Sequence, residues 1–419
     1  MHLNRGNHMN AFTKWPRTLA GALMVMLLLI SASEAAAGDA ILPSLTKIKT
    51  IQSTVPANGD VNPYGVAQIK VTMGNLRAGH ILVSNFNNIG NFQGAGSTIV
   101  EVAPDGTMST FAALNPSSLP NPVNLPGLSC PGGVGLTTAL VVLSEGWVIV
   151  GSLPTVTTSP QGTVFTGSGC LIVLDSVGTP VETFYGSLIN GPWDMTAFES
   201  GHEAKLFVTN VLNGTEAAGG GVVNKGTVTR LNLKVSHGAM PPGAMPPVLE
   251  SITVIGSGFP ERTDPAALVI GPTGVGIRAG CDDDRDDCGD HDGDHDGDHD
   301  GSVLYVADTL GNRVTVIDHA LSRTSSAGTG RTLSSGGSLN GPLGLVVTPG
   351  GHVLTVNSAD GFITEISPHG VQLAKKQLDN TPVPGSLPGA GTLFGLAFDP
   401  TAGVYFVDDG SNTLHLLHH

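Results

Sequence analysis

Charge, aromatic rings and cysteine are all scarce in this chain. Of 419 residues, 13% are charged, 5% are aromatic and four are cysteine. No basic patch exists, which excludes nucleic acid as an expected partner. Beyond residue 37 no run of 18 consecutive apolar residues occurs, so no membrane span is expected in the mature part. Gly-x-Ser-x-Gly, His-Glu-x-x-His and phosphate-loop patterns are missing, so any chemistry would come from residues distant in sequence. Turn formers are plentiful instead. The 58 glycines and 28 prolines, set between short apolar runs, indicate an all-β chain.

The first 37 residues have the layout of a secretory signal peptide. Arg5, Lys14 and Arg17 precede an apolar run at 19–30, and small residues at 31–37 end in three alanines. Twelve residues reach only about 18 Å as a helix, short of the ~30 Å hydrocarbon core, so cleavage near Ala37 is expected rather than anchoring. This predicts a periplasmic or secreted protein with its mature domain at 38–419. In an oxidising compartment, Cys130, Cys170, Cys281 and Cys288 pair, and sequence proximity favours Cys130–Cys170 and Cys281–Cys288. The net charge of −15 is concentrated: residues 281–301 hold eleven Asp and one Arg, leaving about −5 for the rest.

One pattern recurs six times. Each copy opens on Gly-Pro-x-Gly or a variant, at 62–65, 130–133, 191–194, 271–274, 341–344 and 392–395. A second strand ending in a polar residue follows, at 81–85, 148–152, 206–210, 304–308, 354–357 and 405–408. Third strands follow at 98–102, 170–174, 227–231, 313–317, 362–366 and 413–417, then a turn and a less regular fourth strand. Four short strands per repeat describe the blades of a propeller, which bury their faces only by packing in a ring. The last copy ends after three strands. A strand at 44–53, ahead of the first copy, is predicted to pair with the last blade and close a six-bladed ring.

The repeat resembles the NHL family of propellers. The copy that carries the likeness is Gly271-Pro272-Thr273-Gly274-Val275 with 304–314, Leu-Tyr-Val-Ala-Asp-Thr-Leu-Gly-Asn-Arg-Val. The resemblance implies the fold; function it leaves open among scaffolds, binding modules and enzymes. More distantly the chain is similar to gluconolactonase-like propellers, which hold a divalent cation in the central channel through Glu, Asn-type and Asp ligands near the inner-strand starts. Here those starts carry Tyr64, Gly132, Trp193, Thr273, Leu343 and Phe394, with Asp194 the one neighbouring carboxylate. That departure argues against lactonase chemistry. Lyases among such propellers use channel histidines, whereas His80, His202 and His352 precede second strands on the opposite face.

Two rings are expected at the face where the inner strands begin. Asn85, Ser152, Asn210, Asp308, Asn357 and Asp408 end the second strands, either closing Asx-turns or forming a polar lip. Tyr64, Trp193 and Phe394 head the inner strands, as a packed plug or an apolar-floored pocket. Loops at 86–96, 153–169 and 211–225 are long, while those at 309–311, 358–360 and 409–411 have three residues, so a ligand or partner protein is expected over blades one to three. On the opposite face, Asp290, His291, Asp292, Asp294, His295, Asp296, Asp298, His299 and Asp300 form a repetitive insert in blade four. It offers oxygen ligands to calcium and imidazoles to zinc, copper or nickel, or is a solvated low-complexity expansion. The reading favoured is an exported propeller acting as a binding or scaffolding module; the alternatives are a channel-centred hydrolase or lyase, and metal binding by the insert.

Overall fold

The computed structural model describes residues 40–114, 130–131, 133–159, 162–165, 167–236, 239–240, 243, 245–264, 267–280 and 300–419. The expectations for the leader at 1–37, for Cys281 and Cys288, for Gly132 and for the Asp/His insert up to residue 299 lie outside these residues. The insert's last acid, Asp300, caps a turn by accepting the Ser302 and Ser322 amides.

Six sheets form a ring of blades, each built from antiparallel neighbours. The inner strands are Val61–Gln68, Leu140–Val142, Pro192–Ser200, Pro272–Arg278, Pro342–Val347 and Leu393–Asp399. Second strands such as Ile81–Asn87, Val148–Ser152 and Val353–Asn357 are buried at every residue. Adjacent blades cover both of their faces, which is why they read as continuous apolar runs rather than alternating ones. The outer strand Gln372–Gln377, by contrast, is half-exposed and carries Lys375 and Lys376.

The ring closes as the unfinished sixth repeat requires. Lys47–Ser53 pairs antiparallel with Thr413–His418, from Lys47 opposite His418 to Ser53 opposite Thr413. Just before it, Leu42 and Leu45 sink into the core between blades five and six. The Ile41 and Leu42 amides both donate to the buried Glu365 carboxylate at 2.9 Å, and His352 Nδ1 lies 2.7 Å from the same group.

The repeat's opening motif has a steric cause. A Cβ at Gly65, Gly274, Gly344 or Gly395 would fall on the carbonyl oxygen of Thr138, Leu343, Phe394 or Tyr64, in each case on the next blade. Strand register puts Ala139 and Asp194 at this position in blades two and three, since Leu140 faces Val150 and Met195 faces Val208 as Val66 faces Val83. The inner-strand head of blade two is therefore Thr138, which corrects the assignment of that head to the 130–133 motif. The Cys130–Cys170 disulfide, with Cα atoms 5.4 Å apart, holds Cys130 against the third strand of blade two, and the inner strand begins several residues later.

Blade three departs from four strands. Its fourth, Val248–Asp264, is 17 residues long and turns back through Leu268–Ile270 as a fifth. The hairpin carries Arg262 and Asp264 across the face where the inner strands begin. Among the described residues no helix is long and apolar enough to cross a membrane.

Candidate functional site

The inner-strand heads converge on the channel mouth. Tyr64 and Trp193 are almost fully buried, and the Trp193 Nε1–H donates to the Tyr64 hydroxyl at 2.7 Å. Ring centroids lie 5.6 Å apart for Tyr64–Trp193, 5.3 Å for Tyr64–Phe394, 6.4 Å for Tyr64–Phe86 and 6.1 Å for Phe86–Phe394. Leu343 and the blade-three hairpin residues Val269 and Ile270 join this cluster. Apolar plug and pocket floor are thus one object. The cluster divides the channel into two chambers, and Tyr64 lines both.

The lower chamber holds about 250 Å³ and its one deep carboxylate is Asp194. Asp194 is partly exposed to the channel space and otherwise surrounded by the inner strands. Its oxygens accept the Met195 amide at 2.8 Å and the Val275 amide at 3.3 Å. Burial pushes its carboxyl up to about 7 against the pull of those bonds, and burial together with the Asp194 charge raises the Tyr64 phenol well above its ordinary range. This donor set does not suit the cation of gluconolactonase-like propellers. Both Asp194 oxygens already take backbone amides, and no Asn lines the chamber beside it, so the Glu, Asn-type and Asp set is not assembled there.

The upper pocket, about 290 Å³, opens at the channel mouth. Its floor is Tyr64, Phe86, Trp193, Leu343 and Phe394. Its rim carries three charged side chains: Arg262, Asp264 and Asp409. Arg262 pairs with Asp264 at 2.9 Å, which leaves Asp409 as the uncompensated charge. Asp409 Oδ1 is buried with no hydrogen-bond partner among the described residues. Burial, and secondarily the adjacent Asp408, push its carboxyl up to about 7.

The residues that end the second strands are buried and locally bonded. Asn85 Nδ2 donates to the Thr54 carbonyl, Asn210 Nδ2 to Thr229 Oγ1, and Asn357 Nδ2 to Asp360. Asp308 accepts the Gly311 amide and pairs with Arg313 at 2.8 Å, and Asp408 accepts the Ser411 amide. They fasten the loops and do not line the pocket.

The next residue in each blade does face the channel mouth. In blades one to three it is Phe86, Leu153 or Val211, all in the apolar cluster. In blades four to six it is Thr309, Ser358 or Asp409, all lining the pocket. The residues that open the long loops thus help to fill the mouth, while those that open the short ones leave polar groups at its edge; the pocket is lined from both sides of the ring, with Arg262, Asp264 and Ile270 from blade three facing Thr309, Ser358 and Asp409 from blades four to six. Arg262, Asp264 and Asp409 escaped the sequence reading. The Val248–Asp264 run is long for a blade strand, which was the available signal for the hairpin; nothing in the sequence marks Asp409 apart from its neighbour Asp408.

No protein-family model matches the sequence, and no curated protein sequence matches it. Among solved structures the chain is similar to a luciferin-regenerating enzyme at 11% identity, over 88% of this chain and 94% of that one, with a TM-score of 0.50. It is also similar to the gluconolactonase XC5397 of Xanthomonas campestris, at 13% identity over 88% and 89% with a TM-score of 0.47. Regucalcin of Agrobacterium tumefaciens, a calcium-binding protein, aligns at 14% identity over 87% and 94% with a TM-score of 0.45. At such identities the likeness speaks for architecture alone, and the architecture is a six-bladed β-propeller.

Proposed function

We infer that this is an exported binding module that holds a small organic ligand in the upper pocket. The observation that carries the reading is the pocket itself: an apolar aromatic floor, a few convergent polar groups at the rim, and a rigid six-bladed support. The floor closes the mouth off from the lower chamber, as suits a site that holds a ligand rather than passing it through. Export rests on the leader-like first 37 residues and on the disulfide between Cys130 and Cys170.

The test is occlusion. Leu310, partly buried in the rim, has room to become Trp and fill the pocket. Wild type and Leu310→Trp are screened by thermal shift against a set of small ring compounds. Ligands that raise the wild-type melting temperature and leave the folded Leu310→Trp protein unmoved support the reading. Equal shifts in both proteins, or none in wild type, sink it. Amino-terminal sequencing of the exported protein, with Gly38 expected as the first residue, tests the leader.

A further inference from the structure

We propose that the upper pocket selects an organic ammonium ion, a compact apolar body carrying one tertiary or quaternary nitrogen. The inference rests on the upper pocket being a ligand site and adds the chemical class. Three observations converge on it.

The first is charge. With Arg262 bound to Asp264, the only charged side chains left in the lining sum to a single negative charge on Asp409. A buried carboxylate oxygen without a hydrogen-bond partner is costly unless a cation or donor arrives. The second is the wall opposite. Tyr64, Phe86, Trp193 and Phe394 form a continuous set of rings, each within 6.4 Å of another, in which Phe394 is the partly exposed face and the other three back it. Aromatic rings attract cations electrostatically, and clustered rings serve alkylated ammonium groups in particular, because these bring positive charge with little desolvation cost. The third is what the pocket lacks. Its other polar side chains, Asn62, Thr309 and Ser358, are neutral, and its single guanidinium is paired with Asp264 and keeps only the buried Nε without a partner, so the lining carries no net positive charge to hold an anion. A volume of about 290 Å³ confines the ligand to small molecules.

The groups facing Asp409 are few. Asp408 adjoins it in the chain, Arg262 and Asp264 lie on the same rim, and His415 lies near Asp408. A bound cation favours the ionised form of Asp409, whose carboxyl stands at about 7 without ligand, so cation affinity rises as pH climbs through that value.

Calorimetric titration of the whole exported protein tests this with choline and its neutral isostere 3,3-dimethylbutan-1-ol. Choline is expected to bind at least about tenfold tighter at pH 8, to weaken at pH 6, and to lose most of its advantage in Asp409→Asn. The alcohol should show neither trend. Phe394→Leu should weaken choline more than the alcohol. Equal affinities for the two probes, or a preference for the alcohol, overturn the ammonium assignment while leaving the pocket reading intact. Binding of neither probe also overturns it, and the occlusion screen then decides the fate of the pocket itself. If Asp409→Asn fails to fold, the pH trend in the wild-type protein decides alone.

Discussion

Replacing Glu365 should release the amino-terminal segment from the ring. This carboxylate is fully buried on the third strand of blade five and is the acceptor for two consecutive amides, Ile41 and Leu42, more than 320 residues away in sequence. His352 Nδ1 completes its shell at 2.7 Å. Net contributions of about 1.5–3 kcal/mol per hydrogen bond to a charged group, together with the two donors left stranded, put Glu365→Ala at about 3–5 kcal/mol. Glu365→Gln keeps one acceptor oxygen and should cost about 1–3 kcal/mol. Urea unfolding measures the loss, and amide hydrogen exchange at Ile41 and Leu42 localises it. Blade one supplies an internal control. There Glu101 makes the corresponding contacts with His80 at 2.7 Å and the Arg77 amide at 3.1 Å, both in the turn before the second strand of the same blade. Glu101→Ala should loosen that turn and leave exchange at residues 41 and 42 unchanged. If Glu365→Ala unfolds within about 0.5 kcal/mol of wild type, or if residues 41 and 42 stay protected, the carboxylate is not the anchor described here.

Tyr64→Phe strands the Trp193 indole N–H in the plug and should cost about 1–3 kcal/mol by urea unfolding; a neutral result would mean that water replaces the hydroxyl. Removing the Cys130–Cys170 bridge, which spans 40 residues, should cost about 4 kcal/mol on the loop-entropy model, read from unfolding with and without reductant. The raised carboxyls of Asp194, Glu261 and Asp409, each at about 7, give stability a defined pH trend. Between roughly pH 4 and 7 the folded chain holds protons that the unfolded chain has released, so stability falls as pH rises through that window and levels off above it. Asp194→Asn should flatten the fall, and an unaltered slope in that variant would show that Asp194 titrates normally. At pH 8, Asp409→Asn removes a buried unpaired charge and should stabilise the protein by about 1–2 kcal/mol; a destabilised variant would point to a partner for Asp409 that the pocket does not reveal.

The blade count, the second strands and the closing strand were legible because they follow from burial and steric exclusion. A strand between two blades is buried at every position and reads as largely apolar, and in four of the six blades an inner strand pressed against the next blade's carbonyl carries glycine. Such constraints write themselves into single residues, as at Gly274 and Gly344. The head of blade two was misplaced because the segment at 130–133 mimics the motif while serving a disulfide, and the true head, Thr137-Thr138-Ala139, has neither Gly nor Pro. The pocket was half visible. Its aromatic floor came from the repeat register, which fixes Tyr64, Trp193 and Phe394 at equivalent places. Its charged rim did not, because Arg262 and Asp264 arrive on a hairpin outside the repeat, and Asp409 differs from Asp408 only in which way the chain turns after the strand.

That one-residue difference explains where the site lies. Six blades place six residues around the channel mouth immediately after the second strands. Three are apolar and complete the plug; the other three, Thr309, Ser358 and Asp409, are polar and stop short of it. A chain selected for stability alone would gain by carrying a residue like Val211 or Leu153 in place of Asp409, since an apolar side chain there would extend the plug and spare a carboxylate its burial. Asp409 instead stands at the edge of an aromatic floor with an oxygen that no described group satisfies. Polar groups held against their own stability are the physical mark of a site that meets something from outside. The mouth is thus asymmetric in chemistry, apolar where the long loops of blades one to three begin and polar where the short loops of blades four to six begin, and the proposed ligand site lies between the two.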